Sequence, residues 1–369
     1  MRNLINILDL SEEEIQDLID LADAIMARPE DYNEACRHKI LGTLFFEPST
    51  RTRLSFESAM LSLGGSVLGF SEANSSSAAK GESVGDTLAV VSGYADIIAM
   101  RHPREGAPVV GARHATVPII NAGDGGHYHP TQTLADLMTI YHEKGGFANL
   151  TVGLCGDLKY GRTVHSLIGA LSRYPGVRFV LISPEALKLP SFVKEEYIKA
   201  KGIPYVQSES LEESIGDLDI LYMTRVQKER FADEGEYERL KDCCILTPEK
   251  MKKARPDMCV LHPLPRVNEV DPAVDEDPRA CYFQQTRYGK FIRMALILKL
   301  LGLAGKLEDR EPAPEQVVRG RFVCTNRRCI TAAEPGLPRD FVLADPQTGL
   351  YRCAYCEAKA AGTGKAPKK

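Results

Sequence analysis

Seven short apolar runs, KILGTLFF, DIIAM, VPIINA, LTVGLCG, VRFVLIS, DILYM and MCVLH, alternate along the chain with stretches of helical periodicity. Runs this short, apolar on successive residues rather than alternate ones, read as strands buried on both faces. Parallel strands need helical crossovers, which the intervening stretches supply. The pattern predicts an α/β fold: two doubly wound parallel-sheet domains with a cleft between them. Residues 9–25 read as an amphipathic opening helix capped near Ser11, a long helix at 131–142 joins the halves, and 291–303 closes the pattern. The expected domains are 1–135 and 136–305, the closing helix packing back on the first. A charged, proline-bearing linker at 306–319 leads to a small domain at 320–360, and a disordered tail takes up 361–369.

The 369 residues suffice for two or three cores, and a net charge of −4 excludes a global basic field for nucleic acid. The opening MRNLINILDLSEEE lacks the apolar core of a signal peptide, and MALILKLLGL is interrupted by Lys299 and too short to span a bilayer. A cytoplasmic protein with no membrane partner is expected.

Polar, often cationic clusters follow the predicted strands at their carboxyl ends. LFF leads to PSTRTR, IIAM to Arg101-His102-Pro103, VPIINA to GDGGHYHPTQT, VGLCGD to LKYGRT, ILYM to Thr224-Arg225-Val226-Gln227, and VLH to HPLPR. Open α/β sheets bind ligands at that end. In FFEPSTRTRLSFESAM, Ser49 or Thr50 suits a helix cap, yet Arg51 and Arg53 oppose the positive end of the helix dipole. An anion held at the helix start resolves the conflict. Arg51, Arg53, Arg101, Arg162 and Arg225 together call for a ligand with several negative charges. VGLCGDLKYGR does not fit G-x-G-x-x-G and no G-x-x-x-x-G-K-[ST] loop occurs, so no organic cofactor is expected. Lys80, ending SSSAAKGE, suits a flexible loop that reaches an anion, and His129 before Pro130 suits a helix start.

Six of the ten cysteines are scattered; the last four, Cys324, Cys329, Cys353 and Cys356, form C-x4-C and C-x2-C knuckles. In a reducing compartment this spacing suits one structural Zn²⁺ per chain in a zinc-ribbon-like β domain. Between residues 319 and 357 six Arg face four acidic residues, and a Zn²⁺ held by four thiolates cancels the small excess, which disfavours a nucleic-acid-binding ribbon on an inactive scaffold.

FEPSTRTR, SSSAAKGE, MRHP, HPTQTLADL, GDLKYGRTVHSL, YMTRVQKER, HPLPR and YFQQ, in this order over roughly residues 1–305, resemble the aspartate carbamoyltransferase family. The resemblance implies transfer of a carbamoyl group from carbamoyl phosphate to L-aspartate, an early step of pyrimidine synthesis. It implies that Ser49, Thr50, Arg51 and Thr52 hold the phosphate. Thr52, Arg101 and His129 surround the carbamoyl oxygen, with Gln132 at the amide end. Arg162, Arg225 and Gln227 clamp the aspartate carboxylates, and the backbone at Pro263-Leu264 completes that pocket. Ser76 and Lys80 come from a neighbouring chain of a homotrimer, Lys80 serving both substrates. The nearest rival, an ornithine carbamoyltransferase, has to greet a cationic side chain, for which Arg225 and Gln227 are unsuited. FVCTNRRCITAAEP and YRCAYCEAK resemble the zinc domain of the family's regulatory chain. No nucleotide-sensing domain fits in the linker before it, so a structural role is expected, stiffening a trimer or bridging trimers.

Overall fold

The computed structural model describes residues 1–72, 77–226, 233–308 and 316–360. Ser76, Gln227, residues 309–315 of the linker and the 361–369 tail lie outside these. The chain divides into two compact units, one comprising Met1–Ile5, Pro29–His127 and Leu296–Lys369, the other Asn6–Arg28 and Tyr128–Ala295.

In the first unit, β1 (Ile40–Phe45), β2 (Ser66–Phe70), β3 (Ile97–His102) and β4 (Ile119–Asp124) form a parallel sheet in the order β2-β1-β3-β4. Helix α2 (Thr50–Ser62) carries the crossover from β1 to β2 and buries Thr52, Phe56, Ala59 and Met60, one stripe at helical spacing. Helices α3 (Val84–Val91) and α4 (Ala107–His114) pack on the same sheet. Strand order reverses between β1 and β3, and at their carboxyl ends the Phe46 amide donates to the Arg101 carbonyl at 2.8 Å. Two of the cationic clusters therefore leave the sheet side by side at its switch point.

The four-cysteine module is an antiparallel sheet of β10 (Val317–Arg319), β11 (Asp340–Asp345) and β12 (Leu350–Cys353). It shares a core with the first unit. Ile330, Phe341 and Tyr355 join Val84, Leu88, Val110 and Met100 in one buried cluster. A module of about forty residues buries too little surface to stand alone, so it borrows a partner face. Glu105 anchors the contact: its amide donates to the Arg328 carbonyl and its own carbonyl accepts from Ile330, both at 2.9 Å, while Asn326 donates to its carboxylate at 2.6 Å. The Val84 amide donates to Glu334 at 2.8 Å and Arg113 reaches the Tyr355 hydroxyl at 3.0 Å. Gly106 is required here, since its φ is +83° and a Cβ would lie 2.5 Å from the Tyr355 carbonyl oxygen.

In the second unit β5 (Thr151–Cys155), β6 (Arg178–Ile182), β7 (Tyr205–Ser208), β8 (Ile220–Met223) and β9 (Cys259–Leu261) form a parallel sheet in the order β7-β6-β5-β8-β9. Its switch point lies between β5 and β8, where Thr224 Oγ1 donates to the Cys155 carbonyl at 3.0 Å and accepts from the Asp157 amide at 2.9 Å. Helix α5 (Pro130–Lys144) opens the unit's main segment, and α6 (Arg162–Leu171) follows β5. The opening helix α1 (Glu12–Ala27), closed by a Ser11/Glu14 capping box, belongs to this unit rather than the first. It is tied there by His142 to Asp23 at 2.8 Å. The closing helix runs Tyr282–Leu301, beginning well before the expected 291. Its first turns look polar in sequence but bury Tyr282, Gln285 and Tyr288. The chain passes into the first unit at Leu296.

Candidate active site and metal centre

Ser49, Thr50, Arg51 and Thr52 sit at the start of α2. Ser49 is the residue before the first turn, as a cap requires, but its side chain makes no capping hydrogen bond. The Ser49 hydroxyl cap is absent, and a helix start of this kind suits an anion. Thr52 is buried and Arg51 exposed. Arg53 pairs with Glu57 at 2.7 Å, and Glu57 also accepts from Thr43 of β1 at 3.0 Å. It thus braces the helix from behind. Arg101, at the carboxyl end of β3, is buried and lies 3.6 Å from the Glu47 carboxylate, with a further contact at 3.4 Å to the Ala122 carbonyl. His102 beside it packs on Phe46, ring centroids 4.9 Å apart, and burial pushes its imidazole down to about 4. That keeps it neutral, a wall rather than a charge. Lys80 is exposed at the end of a short 3-10 turn, Ser77–Lys80.

In the second unit His129 is buried at the amino end of α5, with Pro130 in the first turn. Gln132 donates to the Asp136 carboxylate at 2.8 Å. Arg162 opens α6 and Arg225 follows β8, both half-buried at the carboxyl ends of the strands flanking the switch point. Pro263 and Leu264 lie just beyond β9. Leu264 has φ +52°, and the Leu264–Pro265 peptide is cis. The turn is held from within: Leu264 N–H donates to His262 Nδ1 at 2.7 Å, and His262 Nε2 meets Glu269 at 2.7 Å. Burial would raise the Glu269 carboxyl, but the His262 contact and backbone amides hold it below its ordinary value.

Behind these residues lies a buried polar cluster that sequence reasoning did not single out. The Asp136 carboxylate accepts from Gln132, from Gln285 at 2.6 Å and from the Tyr222 hydroxyl at 3.1 Å. Gln285 in turn accepts from the His262 amide at 3.0 Å. The one available signal was local, Gln132 and Asp136 being four apart on a helix. The partners at 222 and 285 carried none.

The sulfur atoms of Cys324, Cys329, Cys353 and Cys356 lie within 4.8 Å of one another, and three of the four residues are buried. Cys324 and Cys356 sulfurs are 3.5 Å apart, those of Cys329 and Cys353 3.9 Å. A tetrahedron with metal–sulfur bonds of about 2.3 Å has edges of about 3.8 Å, so the cage fits a four-thiolate ion. All ten cysteines are free thiols.

Three family models match the chain. The carbamoyl-phosphate-binding domain of aspartate/ornithine carbamoyltransferase matches residues 2–142, the Asp/Orn-binding domain 148–300, and the metal-binding domain of the aspartate carbamoyltransferase regulatory chain 316–363. The aspartate carbamoyltransferase catalytic subunit of Clostridium novyi is 61% identical over 302 residues, which is 82% of this chain and 98% of the relative. Among solved structures, the catalytic subunit of M. jannaschii aspartate transcarbamoylase is 47% identical with TM-score 0.76, covering 82% of this chain and 98% of that one. The Trypanosoma cruzi aspartate transcarbamoylase in complex with carbamoyl phosphate and aspartate is 38% identical with TM-score 0.76, covering 83% and 97%. Residues 316–363 thus lie beyond the part of the chain that the catalytic-subunit relatives match, and the whole belongs to the aspartate carbamoyltransferase family, a catalytic chain continued by a metal-binding domain of the regulatory-chain type.

Proposed function

We propose that this chain transfers the carbamoyl group of carbamoyl phosphate to the α-amine of L-aspartate, giving N-carbamoyl-L-aspartate and phosphate, an early step of pyrimidine synthesis. The observation that carries the reading is the placement of Arg51 and Arg101 at the switch point of one sheet and Arg162 and Arg225 at that of the other. The Clostridium novyi relative supports aspartate as the acceptor.

On this reading Ser49, Thr50, Arg51 and Thr52 bind the phosphate, using the open first turn of α2. Thr52, Arg101 and His129 donate to the carbamoyl oxygen, Gln132 orients the amide end, and Arg162, Arg225 and Gln227 hold the two carboxylates beside Pro263-Leu264. The α-amine attacks the carbamoyl carbon, a C–N bond forms and the C–O bond to phosphorus breaks. Phosphate departs with the electron pair and accepts the amine proton. Fixed donors around the developing oxyanion contribute roughly 3–4 kcal/mol each, and holding both reactants in register supplies the rest. No side-chain nucleophile takes part.

The metal in the four-thiolate cage is zinc on this reading, with a structural role only. The protein works in the cytoplasm, a reducing compartment that suits both a four-thiolate cage and the six scattered thiols. It assembles as a homotrimer in which Ser76 and Lys80 serve a neighbouring chain's site, and ATP or CTP leaves the aspartate saturation curve unchanged. The deciding assay offers carbamoyl phosphate with aspartate and with ornithine side by side; turnover of ornithine alone refutes the assignment. Mixing Lys80→Ala chains with Arg51→Ala chains restores activity if sites are shared, and verified mixed trimers without activity refute sharing.

A further inference from the structure

The segments of the second unit assigned to substrate are far apart in sequence, yet one buried carboxylate lies behind all of them. Asp136 is fully buried in the middle of α5. One turn earlier on the same helix it holds Gln132 at 2.8 Å. From β8 the Tyr222 hydroxyl donates to it at 3.1 Å, three residues before Arg225 on the same segment. From the closing helix Gln285 donates to it at 2.6 Å and accepts from the His262 amide at 3.0 Å. His262 then fixes Leu264 by its Nδ1 and is itself held by Glu269. A leucine at φ +52° is a strained residue that persists only where its surroundings over-determine it. This chain of bonds does that.

We propose that Asp136 is a positioning residue of the transferase site, its carboxylate setting Gln132, the end of β8 that leads to Arg225, and the 262–265 turn in one register. The inference rests on the transferase reading and deepens it. A packing role alone would be met by an apolar side chain. A buried carboxylate that gathers three donors, each leading to a different substrate segment, is a costly way to fill space. The charged and titratable groups around it are Tyr222 from β8 and Arg293 from the closing helix, and β9 leads into the His262–Glu269 pair. Arg293 is buried and donates to the Gly289 carbonyl at 2.7 Å, and burial draws its guanidinium down to about 10 against the pull of Asp136.

The test uses the full zinc-loaded chain. Steady-state kcat and both KM values are measured from about pH 6 to about pH 9 for the natural chain, Asp136→Asn and Gln285→Leu. Asparagine keeps an acceptor oxygen but not the charge. Burial pushes the Asp136 carboxyl up to about 7, so the natural chain carries a neutral acid below that pH and a carboxylate above it. The ratio of natural to Asp136→Asn kcat therefore rises through about pH 7 and reaches roughly 10–100 on the alkaline side, the loss expected from small misplacements. Gln285→Leu cuts only the path to the 262–265 turn and raises KM for aspartate more than KM for carbamoyl phosphate. A pH-independent ratio near one, with natural kinetics in Gln285→Leu, overturns the inference while leaving the transferase reading intact. A natural chain that carbamoylates no aspartate refutes both. Melting curves and zinc content monitor folding, and if Asp136→Asn does not fold, the KM split in Gln285→Leu decides.

Discussion

Gly106→Ala separates docking of the metal module from binding of the metal. At φ +83° an alanine pays roughly 1 kcal/mol in backbone strain. The added Cβ would meet the Tyr355 carbonyl oxygen at 2.5 Å and that residue's carbonyl carbon and Cβ at 2.6 Å. Two of these atoms are backbone and cannot rotate aside, so the module has to retreat by nearly 1 Å to reach ordinary contact. That retreat pulls on the two 2.9 Å bonds joining Glu105 to Arg328 and Ile330. Losing both costs ~2 kcal/mol of docking, or roughly thirtyfold in the docking equilibrium. The assay is the rate of metal release to a chromophoric chelator, read beside the thermal transition. Gly145→Ala is the control: its φ is +72°, nothing lies within 4 Å of its Cβ, and it carries the strain without the contact. Expected is faster metal release in Gly106→Ala and the natural rate in Gly145→Ala. Equal release rates in the two variants would refute the docking argument.

Three further outcomes are expected. Arg51→Ala lowers kcat by at least about a hundredfold with an unchanged circular dichroism spectrum, because Arg51 is exposed. Cys329→Ser abolishes stoichiometric metal binding and lowers the melting temperature of the first unit, because Ile330, Phe341 and Tyr355 lose their fold and with it the face they cover on α3 and α4; metal analysis and a melt check it. The folded Asp136 carboxyl holds its proton up to about 7 against an ordinary 3.8, so the natural chain loses stability as pH rises through that interval, by up to about 4 kcal/mol. Asp136→Asn lacks that decline, and denaturant midpoints of the two chains at acid and neutral pH test it.

What could be read from the sequence was whatever is written locally. Each of the seven apolar runs carries its own strand, because a buried parallel strand needs no partner's identity to be recognisable. The cysteine knuckles likewise announce a cage by spacing alone. The closing helix was cut short because Tyr282, Gln285 and Tyr288 look half-polar, and only the folded unit reveals that they face inward. The opening helix was assigned by nearness in sequence, whereas Ile15, Leu18, Ile19 and Ala22 are buried in the second unit. The Ser49 cap followed from residue type, and the structure lacks its hydrogen bond. Of the candidate site, the arginines were legible from their position after strands. The support behind them was not: Asp136 meets Tyr222 and Gln285 across 86 and 149 residues of chain.

The contact centred on Glu105 and Gly106 joins two parts of one polypeptide. A regulatory-type metal module on a separate chain would occupy that face according to its concentration and leave it on dilution. Here the occupant is tethered, and a short linker confers a local concentration of about millimolar order. Occupancy is then the same in a crowded cell and in a dilute cuvette, and every catalytic chain is made with one module to cover its own face.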